Sequence, residues 1–156
     1  MKYSYVYVFF LVFLLISCDT MGPLSLTNGY EHDEVRVHGV YEYNKTLIDG
    51  FHRFGQGQSI PVAARQVQFE HIIAIRIETV DGTVLAEYTP EYLEYIRKAY
   101  GRKRNQSESW IFTEKGLFLK TKEIVDRYRL DQEKIIEYYN SDEAVQDKQA
   151  MLEAGR

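Results

Sequence analysis

Four histidines, His32, His38, His52 and His71, are the side chains in this sequence best suited to hold a transition metal. His32 and His38 have the same parity, so a strand starting as early as Glu31 would place both on one face. Glu31, Asp33 and Glu34 lie close by, and imidazole with carboxylate is a donor set for zinc or copper. The spacing argues against it: HExxH and a close HxH pair are missing, and His52 and His71 fall on separate elements. Polar histidines scattered on a half-exposed sheet are the favoured reading, with a metal pair at His32 and His38 kept as the alternative.

A second cluster is cationic: Arg97, Lys98, Arg102, Lys103 and Arg104, at the end of an expected helix and in the polar loop after it. Cations there complement the helix dipole and are solvated in any case. Their functional use would be contact with an anionic partner, lipid headgroups or an acidic polymer. The 13 tyrosines and Trp110 could form a sugar- or protein-binding patch, though packing in sheets and core is their commoner use. For catalysis the sequence offers neither a GxSxG elbow nor a glycine-rich phosphate loop. Gly55-Gln56-Gly57 lacks the third glycine and the helix of a dinucleotide site. The expectation is a non-enzymatic protein with no cofactor. A formal charge of −4 over 156 residues gives no general pull toward nucleic acid.

The N-terminus carries an address. Lys2 supplies a short positive segment, and Val6 to Ile16 is an unbroken apolar run. At ~1.5 Å per helical residue the run would cover only about half of a ~30 Å hydrocarbon core, which suits a signal peptide better than a permanent span. It ends in Leu15-Ile16-Ser17-Cys18, which resembles the lipobox of bacterial lipoproteins: an aliphatic residue, a small residue, then cysteine. The resemblance covers these first 18 residues. It implies cleavage before Cys18, acylation of that cysteine, which is the only one in the chain, and residence in the cell envelope as a lipid-anchored protein. An anchored Cys18 is unavailable as nucleophile or ligand. Asp19 resembles the inner-membrane retention signal of enterobacterial lipoproteins; other lineages do not follow that rule, so periplasm-facing and cell-surface placements both stay open.

The elements that must position these residues follow from pattern. Glu34 to Tyr43 alternates as a strand. His71 to Val80 and Thr83 to Tyr88 flank Asp81-Gly82, a hairpin signal, and Phe51 to Phe54 reads as a short strand. Thr89-Pro90-Glu91 opens a helix that Gly101 ends, with Leu93, Ile96 and Tyr100 on its apolar stripe. Trp110 to Phe112 and Leu117 to Leu119 form a second hairpin. Lys122 to Tyr128 is ambiguous, and Asp131 caps a helix through Tyr139. The fold class is α+β: an antiparallel sheet, sandwich-like as one arrangement, with two or more helices toward the C-terminus. The expected organisation is a signal peptide (1–17), a lipidated cysteine with a short tether or strand entry (18–30), one globular domain (31–140), and a charged tail, loose helix or disordered (141–156). These readings together suggest an envelope module that binds a protein or envelope polymer through the Arg97 to Trp110 region. The alternative is a lipoprotein that binds metal or a small ligand through its sheet histidines.

Overall fold

The apolar residues of this chain are distributed to cover both faces of one sheet and one face of another. The computed structural model describes residues 24–30, 34–41, 47–48, 56–61, 72–102 and 108–155. They form β1 (Leu24–Asn28), β2 (Val35–Tyr41), β3 (Leu47–Ile48), β4 (Ser59–Pro61), β5 (Ile72–Thr79), β6 (Val84–Tyr88), α1 (Pro90–Ala99), β7 (Glu108–Thr113), β8 (Gly116–Leu119), α2 (Lys122–Arg127), α3 (Gln132–Tyr139) and α4 (Asp142–Ala154). This is the expected α+β class, with antiparallel-rich sheets and helices mostly toward the C-terminus.

One sheet has the order β3-β2-β5-β6 and is antiparallel throughout. Its alternation matches the sequence: Val35, Val37, Ile75 and Ile77 are buried in the core, while Arg36, His38, Arg76 and Glu78 take the other face. Gly82, at a φ of +92°, makes the β5–β6 turn a tight one that a side chain would strain.

The other sheet has the order β4-β1-β7-β8 and contains one parallel pair, β1 with β7, Leu24 beside Glu108 and Leu26 beside Trp110. A parallel pair needs a long crossover, and here the first sheet and α1 together supply it. Leu24, Leu26, Trp110, Phe112, Leu117 and Leu119 face the first sheet and close a shared core with Leu93 and Ile96 of α1. Ile111 and Phe118 face the opposite way, under α2, α3 and α4. Covered on both sides, β7 and β8 carry uninterrupted apolar runs, Trp110 to Phe112 and Leu117 to Leu119, as doubly buried strands do. The layers are sheet, sheet, helices.

Two segments depart from the expected boundaries. Leu24–Asn28, placed within the 18–30 tether and outside the expected domain, is an interior strand with Leu26 fully buried, so the folded domain begins earlier than residue 31. The tail after Asn140 is a 13-residue helix, α4. Ser141 caps it, the Tyr95 hydroxyl donates to the Leu152 carbonyl at 3.3 Å, and Gly155 lies so close to α1 that a Cβ would sit 2.9 Å from the Ala99 Cα.

Candidate functional site

The three C-terminal helices are short, and each starts at a capping side chain. Thr121, Asp131 and Ser141 accept from the backbone N–H of Ile124, Lys134 and Ala144. Helices of 6 and 8 residues have no stability of their own in water, so their positions come from the sheet beneath. Tyr139 does much of this: the Thr121 N–H donates to its hydroxyl at 3.0 Å, and Thr113 donates to its carbonyl at 3.2 Å.

Packed this way, α2, α3 and α4 leave a cavity of about 380 Å³ over Phe118, reaching Tyr100 at the end of α1. Tyr138 donates its hydroxyl to Asp147 Oδ2 at 2.6 Å. Burial, with that hydrogen bond and the Asp147 charge adding to it, pushes the Tyr138 phenol far above its ordinary range. Tyr100 is pushed up too, chiefly by burial, with Tyr139 and Asp147 contributing. Arg127 of α2 reaches Glu123 at 3.2 Å and Glu143 of α4 at 3.5 Å, with its guanidinium 5.9 Å from the Tyr138 ring centre.

Lys148, on the side of α4 toward α1, donates to the Leu117 carbonyl and the Tyr92 hydroxyl, both at 2.8 Å, and lies 4.7 Å from the Phe118 ring centre. Burial lowers its ammonium to about 8. On the same face of the β-sheet, Lys120 donates to Thr27 at 2.8 Å, and Thr27 shares a 2.6 Å hydrogen bond with Ser59. Burial lowers Lys120 as well. A second, open groove of about 920 Å³ runs between Gln56–Gln58 and α3.

The residues singled out from sequence scatter. Arg97 is not part of a solvated cationic surface: it is 3% exposed and bidentate to Glu108, at 2.7 Å and 3.0 Å. Trp110, fully buried, donates its indole N–H to the same carboxylate at 3.0 Å, and is thereby removed from any surface patch. Lys98 is exposed and Arg102 half-exposed; Lys103 and Arg104 lie outside the described residues. His38 is buried, with Nε2 3.0 Å from Glu78, whose other oxygen is 2.8 Å from Arg76. His32, His52, His71 and Cys18 lie outside the described residues, as does the expected strand at Phe51 to Phe54. Among the described residues no three His, Cys, Asp or Glu side chains converge on a metal position, and no helix is long and apolar enough to cross a membrane. The Tyr138–Asp147 pair was missed because its acid lies in the segment read as a loose tail.

No protein-family model, curated protein or solved structure matches this chain.

Proposed function

We propose that this protein is a lipid-anchored bacterial envelope lipoprotein whose domain is a non-enzymatic binding module held against the membrane surface. The residues that carry this reading are Leu15-Ile16-Ser17-Cys18 after the apolar run, and the shortness of the connection that follows them orients the domain. Five residues, Asp19 to Pro23, separate Cys18 from Leu24, where β1 enters the interior of the sheet. Even fully extended at ~3.3–3.6 Å per residue, that connection spans only about 20 Å. An acylated Cys18 would therefore fix which end of the domain meets lipid.

That end is defined by strand direction. The N-terminal ends of β1 and β7 lie side by side, Leu24 at Glu108, and β8 ends beside them with Leu119 at Trp110. The Arg97–Glu108 pair brings the C-terminus of α1 to the same end. Lys98, Arg102 and Lys122 are thus near the chain's entry, and Lys103 and Arg104 follow Arg102 in sequence. Near an anionic leaflet each basic residue adds on the order of 1 kcal/mol, within a Debye length of about 8–10 Å. Two or three acyl chains make release negligible, since each buried CH₂ contributes about 0.8 kcal/mol.

Fractionation tests the reading. The full chain is expected in the membrane fraction, soluble only with detergent, and Cys18→Ala is expected in the soluble envelope fraction. A Cys18→Ala protein that still needs detergent would overturn the anchor. On the Cys18→Ala chain, Lys98→Glu with Arg102→Glu is expected to weaken sedimentation with anionic vesicles and to leave neutral vesicles unaffected. The rival, a metal held by His32 and His38, predicts instead that zinc raises the melting temperature and that His32→Ala with His38→Ala abolishes the rise.

A further inference from the structure

We propose that the helix-side face of the β4-β1-β7-β8 sheet binds a phosphoryl group, held by Lys120 and the hydroxyls of Thr27, Ser59, Ser25 and Ser109. The proposal rests on the binding-module reading and names its ligand class; it does not depend on the lipid anchor.

Register brings these residues together. Thr27 lies opposite Ser59 and beside Ile111, which lies opposite Phe118. Paired residues share a face, so this row points the way Ile111 and Phe118 do. The next row on that face holds Ser25 beside Ser109. The Lys120 N–H donates to the Ser109 carbonyl at 2.7 Å, which sets Lys120 in the same row. Its ammonium nevertheless reaches Thr27 on β1, and β7 stands between β8 and β1. With strands about 4.8 Å apart, the side chain must cross β7 to get there. Its charge is carried past Ser109 to the Thr27–Ser59 pair.

Hydrogen-bond direction then says what the cluster offers. Lys120 donates to Thr27 Oγ1 at 2.8 Å, and Thr27 can pass its own hydrogen to Ser59 across their 2.6 Å contact. The Ser59 hydrogen is then available to a ligand. Ser25 donates to Ser109 at 3.0 Å, which leaves the Ser109 hydrogen in the same position. A hydroxyl has one hydrogen and an ammonium three, with no lone pair. The two rows therefore present donors, and they suit a ligand rich in acceptors.

Charge narrows the choice further. Arg97 has Glu108, Arg127 has Glu123 and Glu143, Lys115 has Asp142 and Lys134 has Asp131. Lys120 is half-buried with a hydroxyl for its partner, and among the described residues no carboxylate pairs with it. Burial lowers its ammonium, and no neighbouring charge acts against that. A cation drawn partly out of water without a counter-charge costs free energy that an anion would offset. Lys148 is half-buried too, but a carbonyl, a phenol and two ring faces already surround it. Exposed Ser59 and half-buried Ser25 and Ser109 leave a way in, with buried Thr27 as the floor. Donors in rows about 6.6 Å apart match the three acceptor oxygens of a phosphoryl group better than the two of a carboxylate. The phosphoryl group has two sources, a free phosphate ester or a phospholipid headgroup.

The test titrates the full chain in nonionic detergent with inorganic phosphate and glycerol 3-phosphate, followed by calorimetry. Saturable 1:1 binding, weakened about tenfold or more by Lys120→Met, which corresponds to ~1.4 kcal/mol or more, and severalfold by Ser59→Ala, supports a free ligand. The Cys18→Ala chain is also sedimented with phosphatidylglycerol vesicles, Lys98 and Arg102 being intact throughout. Sedimentation reduced by Lys120→Met and by Ser59→Ala, without binding of the free phosphates, supports the lipid source. Ser59→Ala changes an exposed side chain on a short strand, and it serves should Lys120→Met fail to fold. No saturable binding of any probe, or binding indifferent to both variants, would overturn the proposal. So would acetate bound as tightly as phosphate. Membrane fractionation of the unmodified chain is scored independently, so an anchored protein without a phosphoryl site is told apart from one that is not anchored.

Discussion

The two sides of the β4-β1-β7-β8 sheet use their polar groups differently. Toward the other sheet, the core is aliphatic around Trp110, and its charged groups close on themselves: Arg97 and Glu108 pair face to face, and Trp110 donates to the same carboxylate. Toward the helices, the core is rich in tyrosine, and its polar groups are only partly matched. Asp147, exposed at the edge, has a phenol for a partner, while the half-buried Lys148 has a carbonyl and a phenol and Lys120 a threonine hydroxyl. A charge completed by its opposite has nothing left to offer a ligand. A charge steadied by neutral groups keeps its capacity for a further partner.

Breaking the closed side should have the largest effect. Glu108→Leu leaves a guanidinium buried without its carboxylate and an indole N–H without its acceptor. Removing one partner of a buried pair costs about 3–5 kcal/mol, and urea unfolding of the variant should show a loss of that size. Arg97→Met with Glu108→Leu replaces both charges with apolar groups and should recover most of it. A double variant as unstable as the single one would mean the pair does more than satisfy itself.

The open side should reveal itself through pH. Lys148 holds its proton to about 10.5 when unfolded and only to about 8 when folded. Between those values the unfolded chain binds the extra proton, so stability rises with pH. At 1.36 kcal/mol per unit and with some solvent access remaining, the rise is about 1–3 kcal/mol. Tyr88, Tyr100 and Tyr138 shift the other way, above their ordinary 10.0, chiefly through burial. Above pH 10 the unfolded chain gives up those protons first and stability falls. Melting temperature should therefore climb from pH 8 toward 10 and then drop. Lys148→Met should remove most of the climb, leaving the smaller part that Lys120, also lowered, supplies. Smaller again is Tyr138→Phe, which keeps the ring and deletes the bond to Asp147. A loss of about 1 kcal/mol is expected, and a much larger one would give Tyr138 a role in holding α4 as well as in the site.

Local signals were legible in the sequence, and long-range ones were not. Both hairpins, the Thr89 cap and the helix that Asp131 starts are visible because turn residue, cap and apolar period lie within one short window. β1 was not recognised as an interior strand, because LSLTN is brief and its parallel partner, β7, is far along the chain. From the sequence α4 reads only as a loose helix or a disordered tail, because seven of its 13 residues are charged or glutamine and its docking relies on Gly155 against Ala99 and Tyr95 against Leu152, contacts that no local pattern announces. Arg97 was within reach. It stands four residues after Leu93 and one after Ile96, on the apolar stripe, and Glu108 shares a strand face with Trp110 by alternation. A cation on a buried helix stripe and an acid on a buried strand face together forecast the pair. The Tyr138–Asp147 cavity had no such signal, since three helices must be placed before those side chains meet.

The smallest expected effect sharpens the contrast between charges that matter and charges that merely touch. Lys115 and Asp142 approach to 2.9 Å, a shorter contact than several others in the molecule, yet their side chains are 44% and 83% exposed. Water screens the attraction, and ordering two mobile side chains offsets most of what remains, so exposed pairs are worth roughly 0–1 kcal/mol. Lys115→Ala should sit at the low end of that range and lose its effect as salt rises toward 1 M, where the Debye length falls to about 3 Å. Asp142→Asn should cost slightly more, because Asp142 also lies in the first turn of α4 and interacts with the positive end of the helix. Thermal melts of both variants at two salt concentrations separate the contributions: the ion pair is common to both, and the difference between them is the helix dipole. Distance alone would rank this pair alongside Arg97–Glu108. Burial separates them: the side chains of Arg97 and Glu108 are each 3% exposed and cannot trade each other for water, whereas Lys115 and Asp142 can.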